Sequence, residues 1–244
     1  MGRAKEIIVK VIPSKIANNF VKLHHYSGKV VNNSSLHFGC FLDDRLHGVM
    51  SYGSSLDKKK TIGLVKNTGW NEFLELNRMA FDDYLPKNSE SRCIAISLKL
   101  IKKKAPQIKW IISFADGTQC GDGTIYRASG FKLVGIKRNN SLLIFPSGDI
   151  IAAMTIEANF CLDIIKKQCK FLNIEHKYRT RTEWLKLGAK KLNGNQIKYI
   201  YFTDKSKEKY LTVPILPFSK IDEMGAGMYK GEKISLQERR NDLK

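Results

Sequence analysis

The stretch Ile108–Phe131, IKWIISFADGTQCGDGTIYRASGF, decides how the chain is read. Its apolar half, with Ile108, Trp110, Ile111, Ile112, Phe114 and Ala115, predicts a buried strand, since a short continuous run bounded by turn residues leaves no polar face. The run stops at Asp116, and Gly117, Gly121 and Gly123 force a turn. From Thr124 a helix of about two turns is predicted, capped by Asp122 or Thr124 and closed by Gly130. A carboxylate at a strand's end, a glycine-rich turn and Tyr126 on the next helix then lie close together, which is how a mixed sheet builds a site.

Upstream, Phe73–Phe81 (FLELNRMAF) reads as a strand with Glu75 and Asn77 on one side and Arg78 on the other. Charged groups in so apolar a strand need partners, so Glu75 and Arg78 are expected to border a cleft. A loop over 82–92 leads to a helix from Ser91 to Lys104, with Ile94, Leu98 and Ile101 facing the sheet and Lys99, Lys102, Lys103 and Lys104 facing water. Asn88, Ser89, Ser91 and Arg92 at its start offer amides and charge to an anion; the alternative is that Ser89 or Ser91 merely caps the helix. Leu36–Leu42 and Leu46–Tyr52 read as a hairpin turning on Asp43, Asp44 and Arg45. Before it, a strand over 6–12 is followed by a helix from Ser14 to His24 with Ile16, Phe20 and Leu23 on its buried face.

Downstream, 132–137 and 141–145 are expected to form a hairpin, 150–170 a helix, and Ile197–Phe202 (IKYIYF) a strand. TVPILPF over 212–218 is extended, and the glycines and charges after it suggest a polar tail. The expected organisation is a core over 1–147, an extension over 148–215 and a tail over 216–244.

The chain has 42 Lys and Arg against 23 Asp and Glu, a net charge of +19, more than solubility requires. A polyanionic partner is expected, with Lys58–Lys60 and Lys177–Arg181 as phosphate-binding runs. Five cysteines without a CxxC pair read as reduced thiols, and the N-terminus has no cleavage pattern, so a cytoplasmic protein that crosses no membrane is expected. No His pair at i, i+4 and no Cys/His spacing points to a metal.

The element order, with Tyr126 four residues before Gly130-Phe131, resembles the GNAT acyltransferase fold, an α/β class built on a mixed sheet. In that family a loop before the central helix binds the pyrophosphate of coenzyme A and such a tyrosine protonates the departing thiolate. The loop here, Lys87-Asn88-Ser89-Glu90-Ser91, departs from the family's Arg/Gln-x-x-Gly-x-Gly/Ala pattern. Across roughly residues 20–215 the chain is further similar to the phage Mom family. The likeness rests on His25-Tyr26-Ser27-Gly28, Ser51-Tyr52-Gly53, Glu75-Leu76-Asn77-Arg78, the 87–92 loop, Ser113-Phe114-Ala115-Asp116, Gly123-Thr124-Ile125-Tyr126 and Lys198–Phe202.

This resemblance implies a transferase that adds a carbamoylmethyl (acetamido) group to the exocyclic amine of adenine in double-stranded DNA, protecting phage DNA from restriction. It implies a site of His25, Tyr26, Arg78, Ser91, Asp116 and Tyr126, in which Asp116 or His25 takes the proton, Tyr126 protonates the leaving group, and Arg78 holds a carbonyl, carboxylate or phosphate. The flipped base would stack on Tyr26, Tyr52 or Trp70, with Lys59, Lys60, Arg179 and Arg181 on the phosphates. The sequence does not name the donor or the source of the amide nitrogen; an acyl-CoA such as acetyl-CoA and an activated glycine both stay open. Two rival readings stay open: acylation of another amine, in DNA, tRNA or protein, and a non-catalytic DNA-binding protein.

Overall fold

The computed structural model describes residues 3–25, 27–117, 121–139, 142–192, 194–225, 228–229 and 232–233. After β1 (Ile8–Val11), Pro13 stops the strand and α1 (Ser14–His24) begins directly behind it. α1 buries Ala17, Phe20 and Val21, whereas Ile16 is 46% and Leu23 79% exposed. The expected stripe through Ile16 and Leu23 is thus rotated, because small Ala17 lets the helix seat on Val49 and Ala80. β2 (Ser34–Leu42) and β3 (Arg45–Gly53) form the expected hairpin, but Arg45 pairs with Leu42 instead of lying in the turn, because Asp43 and Asp44 at φ 50° and 59° already supply the left-handed pair of a two-residue turn.

After α2 (Lys58–Ile62) comes β4 (Phe73–Phe81), antiparallel to β3, and then α3 (Ser89–Lys104), which crosses over to β5 (Trp110–Asp116). β5 is parallel to β4, as a helical crossover demands. Their register runs from Phe73↔Trp110 to Leu76↔Ser113, and β4 continues beyond it to Phe81. The glycine-rich turn gives α4 (Thr124–Ala128). Its N-cap is Gly123 at φ 78°, a residue without a side chain, and not Asp122 or Thr124 as expected.

β6 (Lys132–Asn139) does not pair with β7 (Leu142–Ile144); the expected hairpin is absent because the two strands enter different sheets. The main sheet has the order β1-β2-β3-β4-β5-β10-β6, where β10 (Gly194–Phe202) lies between β5 and β6. This is the mixed α/β class that was expected.

The chain divides into two compact units that do not follow one boundary: residues 1–115, 123–135 and 197–220 make the first, and 116–122, 136–196 and 221–244 the second. In the second unit, β8 (Ile150–Ala152) and β9 (Lys190–Lys191) flank β7. The single helix expected over 150–170 is instead β8, α5 (Ala153–Ala158) and α6 (Asp163–Phe171), because β-branched Ile150 and Ile151 pair with β7. α7 (Arg181–Lys186) starts on a capping box between Thr180 and Glu183. Phe145, Ile151, Ile156, Ile165 and Trp184 fill this unit's core. Of the expected polar tail, Ser219–Glu223 is helical and buries Ile221; most of residues 224–244 lie outside the described residues. No described helix is long and apolar enough to cross a membrane.

Candidate active site

A polar cluster forms on β4 inside the first unit. Strict alternation would put Glu75 and Arg78 on opposite faces, but the register against β3 slips: Ser51 pairs with Arg78 and Tyr52 with Leu76, leaving Asn77 as the extra residue. A bulge of this kind re-aims side chains, and Arg78 thereby acts on Glu75 across the break. Burial raises the Glu75 carboxyl above the usual range, against the opposing pull of the polar Ser55 and Asn77 side chains and the charge of Arg78. Ser34 Oγ donates to Asn77 Oδ1 at 3.1 Å, and Asn77 Nδ2 donates to the Ser54 carbonyl at 3.2 Å.

Arg78 is held by its own fork, with Nε donating to Lys29 O at 3.0 Å and Nη1 to Asn77 O at 2.8 Å. His25, at the end of α1, joins the same cluster: burial first, and then the Arg78 charge, push it down to about 4. The Ser27 N–H donates to His25 Nδ1 at 3.1 Å, so Nδ1 is an acceptor and the neutral ring carries its proton on Nε2. Gly53 closes the cluster from β3, where a Cβ would collide with the Asn33 carbonyl.

A second feature opens at the start of α3. A cavity of about 530 Å³ is lined by Lys5, Lys87, Asn88, Ser91, Arg92 and Lys99, among others. Asn88, the N-cap, sits at φ 67°, and its side chain makes no capping bond to the helix's first amides. Ser91 Oγ donates to Asn88 O at 3.3 Å, and Ser89 Oγ donates to Pro86 O, so neither serine caps the helix. Ser129 Oγ donates to Ser91 O at 3.2 Å, tying the end of α4 to this turn, and Ala128 reaches the cavity wall. On α4, Tyr126 is buried between Phe131 and Tyr199, with ring centroids 5.5 and 5.3 Å away.

The Mom family model matches residues 6–220, which spans both features. The chain belongs to the Mom protein family. A curated relative, "Methylcarbamoylase mom" of Escherichia phage Mu, is 40% identical over 133 residues, 54% of this chain and 55% of that protein, so the match spans about half of the relative's length. Among solved structures, a Bacillus subtilis acetyltransferase in complex with CoA aligns with a TM-score of 0.43 and 8% identity, covering 80% of this chain and 98% of that one. The ribosomal-protein-S18-alanine N-acetyltransferase of Escherichia coli aligns at 0.43 and 8% identity, covering 81% and 94%.

In this member of the Mom family the residues anticipated from sequence fall into groups. His25 and Arg78 come together, and Asn88, Ser91 and Arg92 share the cavity. Ser89 does not: it is fully buried and spent on Pro86. Tyr52 is no rim residue either, being 0% exposed with its hydroxyl 2.6 Å from Ser97 Oγ. Arg179 is buried over the Trp184 ring, 5.5 Å from its centroid, and donates to Lys177 O, so it does not face DNA. Arg181 is half-buried at the start of α7, and Lys59 and Lys60 are exposed. Asp116 ends β5 in the second unit, next to Gly117, whose N–H donates to Asn195 O at 2.7 Å. Tyr26 lies outside the described residues. Glu75 is expected from sequence to border a cleft but has no role in the anticipated site, and Asn77 and Ser55 are not singled out for it; neither polar residue carries a sequence signal of its own. Among the described residues, no group of three His, Cys, Asp or Glu is placed to hold a metal ion.

Proposed function

We propose that the chain transfers a carbamoylmethyl group to the exocyclic amine of adenine in double-stranded DNA, in the host cytoplasm, and so shields that DNA from restriction. One observation carries the reading: a desolvated carboxylate, Glu75, set against Arg78 and His25 in a chain whose curated relative is a methylcarbamoylase. The net charge of +19 supports a polyanionic substrate.

The adenine amine is a weak nucleophile because its lone pair is drawn into the ring, so its proton must leave as the new N–C bond forms. A carboxylate whose proton affinity is raised by burial accepts that proton better than an exposed one. We therefore give Glu75 the base role in place of His25, whose neutral ring, protonated on Nε2, acts as a hydrogen-bond donor. Arg78 stabilises negative charge on the donor, and Tyr126 keeps the role the resemblance implies, protonating the leaving group. Asp116 enters on the resemblance alone.

The cavity at the start of α3 fits a carrier that bears phosphates, since Lys5, Lys87, Arg92 and Lys99 bring four positive charges to its wall. A coenzyme A carrier meets that requirement and a free activated glycine does not; an acyl thioester alone would deliver its carbonyl carbon, so the N–CH2 bond and the amide nitrogen of the product call for a nitrogen-bearing two-carbon unit on that carrier. The test is mass spectrometry of nucleosides from the DNA of cells expressing the protein. Deoxyadenosine gains the mass of one carbamoylmethyl group with the native chain and loses it with Glu75→Gln. Unmodified deoxyadenosine in cells making the native chain overturns the reading.

A further inference from the structure

The loop between β3 and α2 carries the most solvent-exposed large apolar side chain of the described residues, Leu56, at 93%. Single exposed leucines are ordinary on protein surfaces. Two features separate this one: its neighbours are fixed on both sides, and on one side they are fixed by the candidate active site. Ser54 donates its N–H to Asn33 O at 3.2 Å, and its carbonyl accepts from Asn33 and, at 3.2 Å, from Asn77. Ser55 is buried beside the Glu75 carboxyl and eases its desolvation, although its hydroxyl makes no hydrogen bond of its own. On the far side, the Asp57 carboxylate accepts the Lys60 N–H at 3.0 Å and starts α2. The loop is therefore a rigid mount whose tip is apolar, where a surface loop ordinarily carries a polar residue.

Around the tip the charge is positive. Lys59 and Lys60 are exposed, and Lys58 lies 4.5 Å over the ring of Trp70, itself 52% exposed. An apolar tip flanked by cations is the arrangement by which proteins part stacked bases: the side chain enters the step while the cations hold the neighbouring phosphates. An amine inside a duplex is out of reach of a cleft until its base swings out, at a cost of a few kcal/mol in stacking and pairing.

We propose that Leu56 is a wedge that fills the stack left by the extruded adenine, with Lys59 and Lys60 on the flanking phosphates. The proposal rests on the reading that adenine in duplex DNA is the substrate. It adds that the loop packed beside Glu75 through buried Ser55, and tied to β4 by Asn77, also carries the group that keeps the duplex open. Substitution at so exposed a position leaves the fold intact.

The test uses the full chain and a duplex taken from a sequence that is modified in expressing cells, with 2-aminopurine at the target position. Its fluorescence rises when the base leaves the stack, and anisotropy reports binding separately. The native chain is expected to raise the fluorescence both when the target is paired and when it faces an abasic position. Leu56→Ala is expected to bind within about three-fold of native, to lose about five-fold or more of the gain on the paired duplex, and to keep it opposite the abasic position, where little pairing resists extrusion. Leu56→Met, which keeps the apolar bulk, should retain the gain. Equal gains for native and Leu56→Ala on the paired duplex overturn the wedge, as does a native chain that binds without any gain. If Leu56→Ala modifies deoxyadenosine in cells as fully as native, the wedge fails and the activity stands; if the native chain modifies none, the underlying reading fails.

Discussion

The two features of the first unit solve opposite problems. The cluster on β4 takes charged groups out of water and makes each depend on the others: Asn77 bonds Ser34 and the Ser54 carbonyl, Arg78 bonds Lys29, and His25 is held neutral. The cavity at the start of α3 keeps its cations at the surface, on a helix end and a loop tied down by Ser89 and Pro86. The first arrangement tunes proton affinity and costs stability, whereas the second adds charge at little structural cost. Damage should therefore read out differently: in chemistry and folding for the cluster, in salt-dependent binding for the cavity.

The sharpest way to break the contrast is Glu75→Gln. It should reduce carbamoylmethyl-deoxyadenosine in cellular DNA by about a hundred-fold or more, the scale of a lost general base. It should leave the protein as stable or slightly more so at neutral pH, read by thermal melting. An acid whose proton affinity is raised in the fold weakens the fold as pH rises through that range, and the amide removes that effect. A variant that melts early and stays active would put Glu75 in the structure and not in the chemistry.

Gly53→Val should come next, because its side chain would meet the Asn33 backbone, which cannot retreat without releasing Ser54. A loss of about 2–4 kcal/mol in denaturant unfolding is expected, with modification falling alongside it.

Acid should separate the two regions further. His25 is lowered from 6.5 to about 4 in the fold. The unfolded chain takes up that proton first, so stability is full above about pH 6.5 and declines towards pH 4, by at most about 3 kcal/mol before solvent screening reduces it. His25→Phe should flatten that limb in melts run across the range. An unchanged acid limb would mean that the ring is already solvated.

The smallest effects belong to the cavity. Lys87→Ala or Arg92→Ala should weaken coenzyme A binding in calorimetry by about three- to ten-fold, less at high salt, and leave the melting temperature within a degree or two. If either substitution instead moves the acid limb of stability, the two regions are not separable.

Much of the fold is legible in the residues. Phe73–Phe81 is a strand with the bounds its alternation gives, α3 buries Ile94, Leu98 and Ile101 as its period requires, and the Asp43-Asp44 turn forms where its chemistry puts it. The rest depends on partners. The bulge at Asn77 exists only because β3 pairs out of step with β4, and it is what undoes the opposite-face reading of Glu75 and Arg78. Tyr52 reads as a stacking surface because aromatic residues near a glycine often are, but its side of β3 is covered by α3, where Ser97 takes its hydroxyl. The rotation of α1 turns on Ala17, whose small size counts only against Val49 and Ala80.

The place of β10 has a consequence for synthesis. β5 is complete at Asp116, yet the strand that covers its outer edge begins only at Gly194, nearly eighty residues later. At ribosomal rates of about 5–20 residues per second, the nascent chain holds a bare parallel strand rich in Trp110, Ile111 and Ile112 for roughly 4–16 seconds. That interval is when misassociation would begin. Soluble yield should therefore respond more to slow translation of residues 117–193 than to any surface substitution in the finished protein.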